Sequence, residues 1–186
     1  MWLSGSEWVC RFPASRRIDD LSEPFRDNVR RFVAALQAAH AVLSVADTLR
    51  PPERAYLMHY SFQIAREGLD PSAVEAMPGV DIQWVHTDRE GNPDIAASRA
   101  AAAQMVRSYG IVCGPASISR HTEGRAIDMT ITWENDLTIA DADGAPFTVS
   151  ILPRNGGGNA DLHRIGACYG VIKLLSDPPH WSSDGH

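Results

Sequence analysis

Gly124 lies between a histidine and a strand-forming run, and that placement constrains the fold more than any other feature. The segment Ser119-Arg120-His121-Thr122-Glu123-Gly124-Arg125-Ala126-Ile127-Asp128 leads into residues 125–133, which alternate and are β-branched at Ile127, Thr130, Ile131 and Thr132. That run reads as a strand. A tight turn at Gly124 would double the chain back, so that His121 and Asp128, seven residues apart, face one point. Ala126 is small enough to let the backbone come close to that point.

The other elements group around this turn. Leu21, Phe25, Val29, Phe32, Val33 and Leu36 fall at helical spacing and predict an amphipathic helix over 21–40. A short apolar strand follows at 41–46. Asp47-Thr48-Leu49-Arg50-Pro51-Pro52-Glu53 reads as a turn entering a helix that runs to about residue 66, with Gly68 as its stop. Residues 69–93 are punctuated by Pro71, Pro78, Gly79 and Gly91 and read as irregular, with one short strand at 80–85. Asp94 is a good N-cap for an alanine-rich helix through about residue 108, closed by Tyr109-Gly110. Next come a turn at 141–144, a strand at 147–151, a flexible loop at Asn155-Gly-Gly-Gly-Asn159, a helix over 160–169 and a strand at 171–175. Helices grouped ahead of strands favour an α+β fold with a small antiparallel sheet, in a single domain over 1–186.

The length of 186 residues suits one domain with a real core. The formal net charge of −6 argues against a general nucleic-acid binder, which needs a basic face. The three cysteines, Cys10, Cys113 and Cys168, form no CxxC pair and read as mostly buried, reduced thiols. The start MWLSGSEWVCRFPASRR lacks the basic-then-apolar pattern of a secretory signal, and no stretch approaches the ~18 apolar residues of a membrane span. A cytoplasmic protein, released by some other route if its substrate lies outside, is the expectation.

Histidine nitrogen and aspartate oxygen suit zinc, and a catalytic zinc ordinarily takes three protein ligands and leaves a position for water. His180 is the best third ligand to join His121 and Asp128. It lies in Ser176-Asp177-Pro178-Pro179-His180-Trp181, where the two prolines are expected to hold the link extended. Asp177 is then a carboxylate near the metal, able to act as general base towards a water that zinc has acidified.

The pattern S-x-H-x-x-G-x-A-x-D followed by D-x-x-H resembles the zinc peptidase family of D-alanyl-D-alanine carboxypeptidases and L-alanyl-D-glutamate endopeptidases. These enzymes cut bacterial peptidoglycan peptides, phage endolysins are among them, and their small α+β domain is shared with the signalling domain of hedgehog proteins. The resemblance implies one zinc ion held by His121, Asp128 and His180, with Asp177 as catalytic base and Ser119 helping to hold the substrate. Thr48-Leu49-Arg50-Pro51-Pro52-Glu53 has the form of the family's Y-R-S-P-E turn, which makes Arg50 the matching arginine, binding the substrate carbonyl or stabilising the developing oxyanion. Matched features run from about residue 47 to 181, and 69–93 matches nothing. Asp177-Pro-Pro-His180-Trp181 has the D-x-P-H-aromatic form usual in the endopeptidases, so an L-alanyl-D-glutamate bond is the expected target. A D-alanyl-D-alanine carboxypeptidase or dipeptidase is the alternative within the family. Outside it stands a zinc-bearing cell-wall binding module without hydrolysis, as hedgehog domains show the fold can be. The partner implied is a peptidoglycan peptide, bound by a monomer.

Single histidines are more often structural than ligating, and His40, His59, His86 and His163 are read so. His186 ends a polar tail, Ser182-Ser183-Asp184-Gly185-His186, that could fold over the site. Trp181 could line a substrate groove, while Trp84 reads as core. Arg54, Arg120 and Arg125 add positive charge beside the motifs that would suit an anionic peptide, or are solvated surface. Serine or cysteine nucleophile chemistry finds no support: there is no G-x-S-x-G and no cysteine in a catalytic setting.

Overall fold

The computed structural model describes residues 1–112, 114 and 119–186; Cys113 lies outside the described residues. In chain order the elements are β1 (Trp2–Leu3), α1 (Phe25–Ala38), β2 (Val42–Asp47), α2 (Pro52–Phe62), β3 (Ile82–Gln83), β4 (His86–Thr87) and β5 (Pro93–Asp94). They continue with α3 (Ile95–Tyr109), β6 (Ala126–Thr132), β7 (Leu137–Ala140), β8 (Pro146–Val149), α4 (Ala160–Cys168), β9 (Ile172–Lys173) and β10 (His180–Ser182). Helices combined with antiparallel sheets make the fold α+β, as the element order implied. No helix among the described residues is long and apolar enough to cross a membrane.

The chain divides into two compact units, Met1–Pro13 with Pro51–Ser119, and Ala14–Arg50 with Arg120–His186. The first is built on α2 and α3 around Trp8, Leu57, Ile64, Trp84 and Met105. Both helices end as their sequences dictate. A π-helical turn at Gln63–Glu67 extends α2, and Gly68 stops it in the left-handed region at φ 80. Asp94 caps α3 by accepting from the Ala97 amide at 2.8 Å. The strand expected at 80–85 shrinks to β3, which pairs in parallel with β1. Two exposed residues were too few for β1 to show any period.

The second unit carries a four-stranded antiparallel sheet in the order β2-β6-β10-β9. Strand alternation sorts its side chains. Ile127, Met129 and Ile131 of β6 and Trp181 of β10 turn into a core with Phe32 and Leu36 of α1 and Leu162 and Ile165 of α4. Trp181 is fully buried and its ring centre lies 5.6 Å from that of Phe32. Burying such side chains stabilises the unit by roughly 1.5–3 kcal/mol each. Asp128, Thr130 and Thr132 fall between the core positions of β6 and so belong to the sheet's other face.

Four expectations need correction in this unit. The strand β7 was not foreseen; it pairs with β8 across the Asp141–Gly144 turn, where the Asp141 carboxylate accepts from the Asp143 and Ala145 amides at 3.0 and 2.8 Å. The loop at 155–159 is not slack. Asn155 accepts from the Gly158 amide at 2.9 Å, and the buried Asn159 side chain donates to the Ile151 and Pro153 carbonyls at 2.8 Å each. Cys168 is exposed, as is Cys10 of the first unit, against the expectation of buried thiols. Finally, Pro178 and Pro179 do not hold an extended link: the His180 amide donates to the Asp177 carbonyl at 3.1 Å, closing a turn in which Pro178 supplies a preset φ.

Candidate metal centre

The pivot at Gly124 is formed as the sequence implied. The Gly124 and Arg125 amides donate to the His121 and Arg120 carbonyls at 3.2 and 2.8 Å, and Gly124 takes φ 66. A Cβ there would meet the Ser22 hydroxyl at 2.8 Å and the Ser22 amide nitrogen at 3.0 Å, so both the conformation and the space call for glycine. The turn brings His121 back against the start of β6.

Register supplies the rest. His180 stands directly opposite Asp128, while the next pair, Trp181 and Ile127, turns into the core. The extra residue Ala46 interrupts the β2–β6 ladder between Val45 and Asp47 and leaves Asp47 opposite Asp128. One row of paired positions across three strands therefore reads Asp47, Asp128, His180.

Three donor atoms converge. His121 Nε2 lies 3.1 Å from Asp128 Oδ1 and 3.2 Å from His180 Nδ1, and His180 Nδ1 lies 3.1 Å from the same Asp128 oxygen. The two imidazoles are buried and the carboxylate nearly so. Each ring's other nitrogen meets a backbone carbonyl: His121 Nδ1 donates to Thr48 at 2.8 Å, and His180 Nε2 donates to His186 at 3.1 Å. A carbonyl only accepts, so these bonds fix the ring protons on the outer nitrogens. The neutral imidazoles then aim lone pairs at each other and at a carboxylate. Three acceptors this close repel unless positive charge lies among them.

The group could hold a metal ion. Nitrogen and oxygen ligands about 2.1 Å from a shared tetrahedral ion are about 3.4 Å apart, within a few tenths of the spacing seen. Two imidazoles with outer-shell carbonyl acceptors and one carboxylate are a donor set that zinc and its neighbours accept. When protons rather than a metal supply the positive charge between the donors, burial pushes the Asp128 carboxyl up, but hydrogen bonds and charge from His121 and His180 outweigh it and hold the group well below the usual carboxylate range.

The remaining expected residues are less uniformly placed. Arg50 is largely buried; its Nε and Nη2 donate to Asp47 Oδ2 at 3.2 and 2.7 Å, and its amide donates to the His121 carbonyl at 3.0 Å. Asp177 is exposed in the β9–β10 loop and is not one of the three converging donors. Ser119 is half-buried and falls in the first unit. The positive charge expected beside the motifs is offset. Arg120 donates to Glu123 at 2.9 and 3.1 Å and to Asp184 at 2.6 and 2.9 Å, Arg125 pairs with Glu123 at 3.5 Å, and Arg54 donates to the Val9 carbonyl and lies over Tyr109. The polar tail is knotted on Ser182, whose hydroxyl accepts from the Gly185 and His186 amides at 2.8 and 3.0 Å. Trp181 is core and lines no groove, and Trp84 is core as expected. His86 meets the Ser4 hydroxyl at 3.0 Å and His163 meets the Gly156 carbonyl at 2.9 Å, both structural contacts.

Sequence reasoning missed Asp47, the carbonyls of Thr48 and His186, and Lys173. Backbone acceptors leave no trace in residue types, and Asp47 depends on the interruption at Ala46. No protein-family model matches the chain, and no curated protein matches it in sequence.

Proposed function

We propose that the chain is a zinc-dependent peptidase that hydrolyses peptidoglycan stem peptides at the L-alanyl-D-glutamate bond, on a domain related to the hedgehog fold. The observation that carries the reading is the triangle of His121, Asp128 and His180, with both ring protons fixed on the far side of the rings. Two imidazoles and a carboxylate leave room for a water ligand, as a hydrolytic site needs and a closed structural site lacks. The order of the motifs and the D-x-P-H-aromatic loop support the substrate class.

Zinc bound there would supply Lewis-acid polarisation of a carbonyl and a water acidified to a pKa of about 7. The protein's own groups do the rest. Asp177, exposed in the loop that also carries His180, takes a proton from the water and returns it to the leaving amine. Arg50, braced by Asp47, presents a fixed cation to the substrate carbonyl.

The test is digestion of purified stem peptides followed by mass spectrometry of the new termini. Cleavage after L-alanine, abolished by chelation and restored by zinc, is the expected result. Release of terminal D-alanine would redirect the assignment to a carboxypeptidase. Zinc binding without any cleavage would leave the binding module.

A further inference from the structure

Lys173 is buried, and every group its ammonium donates to is uncharged; the carboxylates of Asp177 and Asp128 act on it only from beyond hydrogen-bond range. Its side chain ends in the β9–β10 loop, where the ammonium donates to the carbonyls of Leu174, Asp177 and His180, the last at 3.0 Å. An ammonium has three protons and here finds three acceptors. The acceptors are themselves linked. The Leu174 amide donates to the His180 carbonyl at 3.1 Å, the His180 amide to Asp177 at 3.1 Å, and the Asp177 amide to Leu174 at 3.3 Å. Three backbone hydrogen bonds thus form a closed ring at three-residue intervals, and the ring's three carbonyls converge on one cation. The Trp181 ring centre lies 5.7 Å from the same nitrogen. Burying an ammonium with no carboxylate in direct contact is expensive, and it persists where the surrounding structure depends on it.

We propose that Lys173 is the positioning residue of the site: its ammonium fills the carbonyl ring of the β9–β10 loop and thereby sets where His180 and Asp177 stand. The inference rests on the zinc peptidase reading. Without the ammonium, three carbonyls aimed at one point repel, the loop opens, and the ligand and the base leave their places together. Arginine cannot substitute, because a planar guanidinium does not offer three convergent protons.

The test uses the full chain as wild type, Lys173→Met and Lys173→Ala, with zinc affinity measured by competition against a chromophoric chelator and folding followed by circular dichroism. Lys173→Met keeps most of the stem's packing and loses the donors. It is expected to stay folded and bind zinc about 10- to 100-fold more weakly, the range typical of losing an outer-shell support. Lys173→Ala vacates the ring, and ammonium or methylammonium chloride is expected to restore its zinc affinity where tetramethylammonium chloride, which has no N–H, does not. A merely apolar role for the stem predicts no such rescue. Wild-type affinity in Lys173→Met overturns the inference alone, as does Lys173→Ala that is equally insensitive to all three salts. A wild type that binds no zinc overturns the underlying reading and this inference with it.

Discussion

Asp47 stands opposite Asp128 across β2 and β6 only because β2 carries one extra residue between Val45 and Asp47. Up to Val45 the strand alternates in step with β6, and Leu43 and Val45 pack on the core. The interruption changes the phase, so the next paired residue joins the polar row and can hold Arg50 through both Nε and Nη2. Bulges of this kind re-aim side chains beside functional sites.

Removing that brace separates metal binding from turnover. Asp47→Ala is expected to bind zinc normally and lose about 10- to 100-fold in kcat/KM on stem peptides, the value of one charged hydrogen-bonded contact. Unchanged kcat/KM would show that Arg50 needs no support from Asp47.

Asp177→Asn should separate the same two properties more sharply. Zinc content stays at one per chain, while kcat falls by about 100- to 10,000-fold as the proton acceptor is lost. Normal turnover would remove Asp177 from the mechanism.

Zinc should also stabilise the folded chain. A ligand at 100 times its dissociation constant adds about 2.7 kcal/mol. Thermal unfolding with and without a chelator should reveal that difference in wild type and lose it in His121→Ala and His180→Ala. An equal shift in the variants would place the metal elsewhere.

The metal-free protein should show an acid limit set by Asp128. Its folded carboxyl is held below the ordinary value of 3.8. A depressed carboxyl contributes stability that is fully present above about pH 4 and is lost as pH falls through the folded value. Urea midpoints measured at pH 6, 4 and 3 on metal-free protein should therefore fall more steeply for wild type than for Asp128→Asn. Parallel curves would mean that the carboxylate gains nothing from its two imidazoles.

Gly124→Ala tests the pivot. The substitution adds a Cβ at φ 66 and presses it on Ser22, so it should destabilise the second unit by about 1–3 kcal/mol in urea unfolding. A midpoint within error of wild type would show that Ser22 yields freely.

The three residues of the group that could hold a metal ion were legible because their chemistry is written in residue types. His121 and Asp128 flank a glycine that can only be a turn, and His180 is the histidine that follows a second acidic motif. The helices were legible where caps and periodicity agreed, as at Asp94 and Gly110 for α3. What stayed hidden depends on pairing between distant segments. The interruption at Ala46 exists only relative to β6, and β1 only relative to β3. Lys173 reads as an ordinary surface lysine until β9 and β10 close the loop around it. The Pro178-Pro179 pair misled because restricted φ suits a turn as well as an extended link.

The three residues of β10 are committed to three different tasks. His180 joins the group that could hold a metal ion, Trp181 fills the core, and Ser182 knots the tail in which His186 returns a backbone oxygen to His180. No position in the strand is left to drift without loss. A saturation scan of the gene, read out for folded and active protein, should therefore find a blank of mutational tolerance at residues 180–182, preceded by permissive surface positions at Leu175 and Ser176 and by an intolerant Asp177.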